Sequence, residues 1–313
     1  MIFSEPDLKI VQELLVPTLG TETLAPLLHF LVRFIRAKNV LEGGAGYTTP
    51  FLAMALATNQ SDFLRELQEL KQKTRTYLAE VNSIIQSDPR SQVVDAPADE
   101  AHLGLDSLYG RKASRLAEKR FEWLEGEPAW ARPSYYSQTY EPNLVSLDNF
   151  SHQDSSASRV RKVVEGLGLS QYVTFKRRDF WKCKPQTLLS KFLPFDLIWI
   201  DLPVNVRGLV NLLQGDYWNC LRSDGGLLAI HDMMTTRGGQ LLINELKRYQ
   251  KNGRFSDFEF TGFLEPNRLM QGDFILIQKT SARRIDPVDD LIQQPGRGIL
   301  EEESQMLLEL YET

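Results

Sequence analysis

A glycine-rich turn, four scattered aspartates and one histidine are the residues of this chain whose types and spacing could do chemistry. The turn is VLEGGAGYTTPFLA, Val40 to Ala53. An apolar strand tip runs into Glu42, then Gly43, Gly44 and Gly46 turn the chain, with Tyr47 behind them. A helix is expected to start near Thr48 or Thr49, with Pro50 in its first turn. Glycine serves where the backbone takes positive φ or where a ligand must approach the main chain. A phosphate-binding P-loop would need Gly-Lys-Ser/Thr next, and none follows. A dinucleotide fingerprint would need a third glycine among Tyr47, Thr48 and Thr49. An NAD(P)-dependent oxidoreductase therefore stands as the weaker alternative. A carboxylate at Glu42 would repel a pyrophosphate and attract a cation. The sign favours a positively charged, nucleotide-like cofactor.

The aspartates are Asp148 (followed by Asn149), Asp179 (followed by Phe180), Asp201 and Asp232. Each sits at or just past the end of an apolar, strand-like run. His231 immediately precedes Asp232 and is the candidate general base, because imidazole accepts protons near neutral pH. The alternative for His231 is a strand-end cap. Among the other histidines, His29 lies on an apolar helical stripe and reads as core, His102 falls in an insertion, and His152 follows Asp148 closely.

The elements that must position these residues alternate. Strand patterns are expected at Asn39–Glu42, Asn143–Leu147, Tyr172–Lys176, Phe195–Asp201 and Gly226–His231. Helical patterns separate most of them, notably Ser156–Gly166 and Gly238–Gln250. Such alternation predicts a parallel sheet covered on both faces. FEFTGFLE and GDFILIQK then predict an antiparallel pair closing one edge. Two helices precede the first strand, one carrying Leu8, Val11 and Leu14, the next running from about Glu22 to Ala37.

Between the first and second strands, an insertion runs from Thr58 to Glu141. Phe63, Leu67, Leu70, Thr74, Tyr77, Val81 and Ile84 mark a long amphipathic helix, ended by Asp88-Pro89. A second helix is expected around Leu108–Leu124, followed by EGEPAWARPSYYSQTYEP. That aromatic loop would pack over the sheet edge or close as a lid on a substrate pocket. Beyond Ser281 the chain reads as a polar linker and a short acidic amphipathic helix.

The motifs resemble those of class I S-adenosylmethionine-dependent methyltransferases. EGGAG is similar to their first motif, FDLIWID to their fourth-strand motif and GGLLAIHD to their fifth-strand motif, and the likeness extends to about Lys279. The resemblance implies a Rossmann-like, seven-stranded, mostly parallel α/β sheet with an antiparallel closing hairpin. It implies N-terminal helices over 1–38, a core over 39–280 with the insertion 58–141 as a lid, and a terminal linker and helix over 281–313. It implies S-adenosyl-L-methionine held by Glu42, Gly43, Gly44, Gly46, Tyr47, Asp148, Asn149, Asp179, Phe180 and Asp201. Asp148 would hydrogen-bond the ribose and Asp179 the adenine amino group. Thr48 departs from the family pattern, which commonly has glycine or serine there, and the insertion is longer than usual.

The implied activity is O-methylation of a natural product or short peptide. Such a substrate would touch Asp232, and its carboxylate could be held by Arg132 and Tyr136. A fainter likeness, to the methyltransferase module of cyanobactin-type methyltransferase–prenyltransferase proteins, implies methylation of a C-terminal carboxylate, which needs no base. A hydroxyl acceptor would use His231. Catechol methyltransferases place magnesium on acids after the fourth and fifth strands and an adjacent amide. Here Met233 occupies the amide position, and a thioether is a poor ligand for a hard cation, so no metal ligand is assigned, and a metal-assisted or His231-assisted O-methyltransferase of a small hydroxylated molecule stands as the alternative.

Bulk properties agree with an ordinary globular protein. Over 313 residues, 42% are hydrophobic and 25% charged, which suits one large domain with an insertion. A net charge of -5 gives no basic footprint for nucleic acid. No apolar run approaches the ~20 residues that would span a bilayer. Cys183 and Cys220 make no disulfide framework, so a cytoplasmic setting is expected. The tail leaves room for a further C-terminal enzyme module, and a homodimer is the other partner expected.

Overall fold

The computed structural model describes residues 2–16, 21–86, 133–136, 138–150, 156–251, 257–265 and 272–280. Two helices, α1 (Glu5–Gln12) and α2 (Leu24–Phe34), lead into β1 (Asn39–Gly43) and α3 (Thr48–Gln86). After the short α4 (Pro133–Tyr136) come β2 (Asn143–Asp148), α5 (Ala157–Gly166), β3 (Val173–Arg177), the single turn α6 (Pro185–Leu188) and β4 (Leu197–Ile200). Then follow α7 (Val206–Gln214), α8 (Asp216–Cys220), β5 (Leu227–His231), α9 (Arg237–Lys251), β6 (Phe258–Leu264) and β7 (Asp273–Lys279).

The seven strands form one sheet in the order β3-β2-β1-β4-β5-β7-β6. β1 to β5 run parallel, and β7 lies antiparallel between β5 and β6. This is the mostly parallel sheet with a closing hairpin expected from the alternation of strands and helices.

Period-two alternation along the strands sorts their side chains to two faces. On one face, Val40, Leu144, Leu197, Trp199, Leu227 and Ala229 pack with residues of α2, α3 and α5. On the other, Leu41, Val145, Ile198, Ile200, Leu228 and Ile230 pack with α7, α8 and α9. Both faces of β4 are buried, which explains why LIWI reads as an unbroken apolar run.

The order reverses at β1. The chain moves outward through β2 and β3, then returns to the other side of β1 with β4 and β5. Between β1 and β4 lies a topological switch point, and the crevice at its carboxyl ends is where open α/β sheets bind ligands.

One boundary differs from the sequence expectation. The helix that follows the glycine turn and the amphipathic helix of the insertion are a single 39-residue helix, α3. No proline or glycine falls inside it after Pro50, so nothing in the local chemistry stops it. The chain divides into two compact units, Met1–Gln60 with Tyr140–Asp286, and Ser61–Thr139 with Pro287–Thr313. The helix expected at Leu108–Leu124, the terminal helix, His102 and His152 lie outside the described residues. Among the described residues no helix is long and apolar enough to cross a membrane.

Candidate active site

The glycine turn leaves β1 at the switch point and is pinned from three sides. Gly44 donates its N–H to the Leu147 carbonyl at 2.9 Å, and Asp201 donates its N–H to the Gly43 carbonyl at 2.9 Å. Ala45 donates to the Asp148 carboxylate at 3.0 Å. The turn is thus stitched to the ends of both flanking strands. Gly44 has φ +96, and a Cβ there would stand 2.7 Å from the Asp201 carbonyl oxygen, so only glycine fits. Gly43 is glycine for packing, because a Cβ would meet the Phe180 ring at 2.7 Å. Gly46 is under neither constraint; its nearest neighbour would be Ser156 Oγ at 3.7 Å. Tyr47 is half-buried and packs its ring against Phe51, 5.3 Å between centroids.

Glu42 does not face a ligand, contrary to the sign argument from the sequence. It has no exposed surface. Its carboxylate accepts hydrogen bonds from the hydroxyls of Thr48, Thr49 and Ser146, each at 2.7 Å. Thr49 Oγ1 in turn accepts the Gly46 N–H at 3.1 Å. The physical reason is burial. A carboxylate inside the fold needs donors, and the two threonines of α3 and the serine facing it from β2 supply them. Burial nevertheless wins over these three bonds and pushes the Glu42 pKa from 4.5 up to about 7, with the charge of Asp201 adding to the rise. Thr48, which departs from the family pattern, is there as a donor to Glu42.

Asp148 is the last residue of β2, and Asp179 stands two residues beyond the end of β3. Asp148 also accepts the Phe150 N–H at 2.5 Å. Its two oxygens keep lone pairs beyond these two bonds. Asn149 beside it is exposed. Asp179 caps the 3-10 turn that follows, accepting the Trp181 N–H at 3.0 Å, and pairs with Lys182 at 3.5 Å. Phe180 is corrected: its ring is 2% exposed and stacks on Tyr217 at 4.4 Å, with the planes 7° apart. A large aromatic there completes the core against Gly43 and is not a ligand surface.

Asp201 and His231 meet. His231 Nδ1 lies 2.8 Å from Asp201 Oδ1, and Nε2 lies 3.5 Å from Asp232 Oδ1. His231 is 6% exposed, and its Nε2 is buried without a hydrogen-bond partner among the described residues. The Asp232 side chain is the more open, 62% exposed. Burial works against the imidazolium. The Asp201 hydrogen bond and the charges of Asp201, Asp232 and Asp273 outweigh it, so the His231 pKa is raised. His231 is therefore no simple strand cap.

The magnesium arrangement does not fit. Asp201 is engaged by His231, and Met233, at the amide position, is a core side chain 1% exposed. His29 is core as expected, with Nδ1 3.1 Å from the Phe51 carbonyl and its pKa lowered by burial. Tyr136, expected to hold a substrate carboxylate, is 4% exposed and donates to the buried Glu66 at 2.9 Å. A buried carboxylate needs that donor, so the phenol is not turned to a substrate. Arg132 lies outside the described residues.

Three contributors escaped the sequence reading. Ser146 was legible only as one polar residue inside the apolar run NLVSLD. Thr49 looked like an ordinary helix-start residue. Asp273, at the head of β7, gave no signal, because its role depends on which strand β7 joins.

No protein-family model matches the chain. No curated protein matches it either. Among solved structures it is similar to the O-methyltransferase TomG from Streptomyces achromogenes, involved in tomaymycin synthesis, in complex with SAM. The identity is 14%, the TM-score 0.47, and the match covers 89% of this chain and 91% of that one. It is also similar to an O-methyltransferase from Bacillus cereus in complex with SAH, at 13% identity and TM-score 0.47, covering 89% of this chain and 93% of that one.

Proposed function

We propose that this protein is an S-adenosylmethionine-dependent O-methyltransferase whose acceptor is a hydroxyl on a natural product or short peptide. The observation that carries the reading is the His231–Asp201 pair at 2.8 Å, set at the carboxyl ends of β4 and β5. It stands next to a turn that only glycine can make, with Asp148 at the end of β2 and Asp179 beyond β3 at the same carboxyl end of the sheet.

The methyl donor supplies an activated methyl on a sulfonium, which leaves as a neutral thioether. The chain's own task is to hold, orient and remove a proton. Asp148 offers free lone pairs at the end of β2 for a diol, and Asp179 offers them beyond β3 for an amino group. Asp201 fixes His231 with its proton on Nδ1, which leaves the lone pair on Nε2. That is the orientation logic of a base held by a carboxylate. As the acceptor oxygen bonds to the methyl, its proton passes to Nε2, and Asp201 and Asp232 stabilise the imidazolium that forms. Holding acceptor and donor in line contributes much of the rate. A carboxylate acceptor would leave His231 with no proton to take, so the hydroxyl reading is preferred.

The test pairs binding with turnover. S-adenosylhomocysteine should bind by calorimetry, and Asp148→Ala should weaken it at least tenfold. A mass-spectrometric acceptor screen should then return a product fourteen daltons heavier. Binding of NADH without binding of S-adenosylhomocysteine would replace this reading with the oxidoreductase one.

A further inference from the structure

β7 opens on Asp273, a carboxylate with no exposed surface. Its Oδ1 accepts the N–H groups of Met233 and Met234, each at 2.6 Å. Its Oδ2 accepts the Thr235 N–H at 2.8 Å and also the Thr235 hydroxyl. Its own carbonyl accepts the Asp232 N–H at 3.2 Å. One residue thus receives donors from four consecutive positions, Asp232 to Thr235. Successive backbone N–H groups converging on one anion make a nest.

The segment so gripped is the one that leaves His231. Asp232 has φ +54, a left-handed conformation uncommon for L residues though more accessible to aspartate than to most. The segment is held from two further directions. Thr236 Oγ1 donates to the Asp232 carbonyl at 3.0 Å and accepts the Gly239 N–H at 2.9 Å. Gly239 lets α9 lie directly on the segment, since a Cβ there would stand 2.1 Å from the Met233 carbonyl oxygen. These contacts hold Asp232 Oδ1 at 3.5 Å from His231 Nε2. A staple serving stability alone could grip any exit loop. This one fixes the second carboxylate of the Asp201–His231–Asp232 series.

We infer that Asp273 is a positioning residue for proton transfer: it fixes the turn that sets Asp232 against His231 Nε2. The inference rests on the methyltransferase reading for its purpose, though not for its test. The acids facing His231 are Asp201 from the end of β4, Asp232 beside it and Asp273 from β7. Removing the Asp273 charge weakens the imidazolium directly, and releasing the turn removes the Asp232 contribution as well.

The experiment is Asp273→Asn in the full chain, read by nuclear magnetic resonance of the histidine imidazoles, by melting and by S-adenosylhomocysteine calorimetry. The chain has only four histidines, so His231 is identified by the resonance that His231→Gln removes. The expected result is a folded variant with S-adenosylhomocysteine affinity within about threefold of the parent and a His231 midpoint lower by at least about half a pH unit. A folded variant with an unchanged His231 midpoint overturns the inference. Should Asp273→Asn not fold, Thr235→Val removes a single donor and carries the test. Its amides at Met233 and Met234 should exchange faster and its His231 resonance should move, and an unmoved resonance overturns the inference equally. Neither readout needs an acceptor. Failure of S-adenosylhomocysteine to bind the parent would sink the methyltransferase reading and leave the positioning result standing.

Discussion

Glu42 illustrates how a residue can be found correctly and read wrongly. Its place in the turn is legible in EGGAG, but its partners Thr48, Thr49 and Ser146 are a strand and a helix start away. No spacing rule joins them. The consequence is a pH-dependent stability. The folded pKa of about 7 exceeds the ordinary 4.5, so the native state holds the proton more tightly than the unfolded chain. The stabilisation this gives is complete below pH 4.5 and is lost as pH rises through about 7. Glu42→Gln is neutral throughout and removes that slope. In urea titrations at pH 5 and pH 8, Gln should gain on the parent by about 2.5 kcal/mol between the two. A gap that does not change with pH would show that Glu42 stays ionised.

His231 carries the opposite consequence for rate. Its raised pKa favours the charged form, and a base must be neutral. Turnover should therefore rise with pH through a midpoint above the ordinary imidazole value of 6.5. His231→Gln should lower kcat by about 100-fold or more and flatten this limb, while S-adenosylhomocysteine affinity stays unchanged. An intact limb in the Gln variant would assign the proton to another group.

At the scale of elements, β1 to β5 were legible because each is apolar and bounded by punctuation, and the closing pair because of its short loop. The continuity of α3 was not. Its start near Thr48 is marked by the glycine turn and Pro50, but no cap or breaker lies where that helix runs on into the amphipathic helix of the insertion, so the pattern reads as two helices where there is one. Beside the apolar contacts of Leu52 and Leu56, a polar tie between α3 and α2 is Asn59, 2% exposed. Its Nδ2 donates to the carbonyls of Val32 and Ala37 at 3.2 and 3.0 Å, and its Oδ1 accepts Arg33 at 2.6 Å. These carbonyls close the end of α2 just before β1. Asn59→Ala would remove these three bonds, though the Val32 carbonyl keeps the Ala37 N–H and the Ala37 carbonyl keeps the Tyr140 hydroxyl, and should destabilise by about 1–3 kcal/mol in denaturant. Because Asn59 is eleven residues along α3 from Thr48, the loss should appear in stability and leave S-adenosylhomocysteine affinity within about twofold, since distant sites act independently.

For the whole molecule, the decisive information is topological. Asp148, Asp179, Asp201 and His231 are spread along the chain, and only the order β3-β2-β1-β4-β5 brings them to one edge of one sheet. The sequence supports that order through motif succession, but the Asp273 grip on the β5 exit follows from β7 inserting antiparallel between β5 and β6, which periodicity does not encode. The cofactor class can be settled at this scale, because a ligand that binds only the native state stabilises all of it. At about one hundred times its Kd, a ligand adds about 2.7 kcal/mol. For a cooperative unit of this size that corresponds to a rise in Tm of roughly 5–10 °C. S-adenosylhomocysteine should produce such a rise and NADH should not, because no third glycine opens the start of α3 to a pyrophosphate. Asp148→Ala should abolish most of the rise at the same ligand concentration, and should also lower the ligand-free Tm, because the Ala45 and Phe150 N–H groups lose their acceptor. A rise with NADH and none with S-adenosylhomocysteine would leave the proposed chemistry at His231 without its donor.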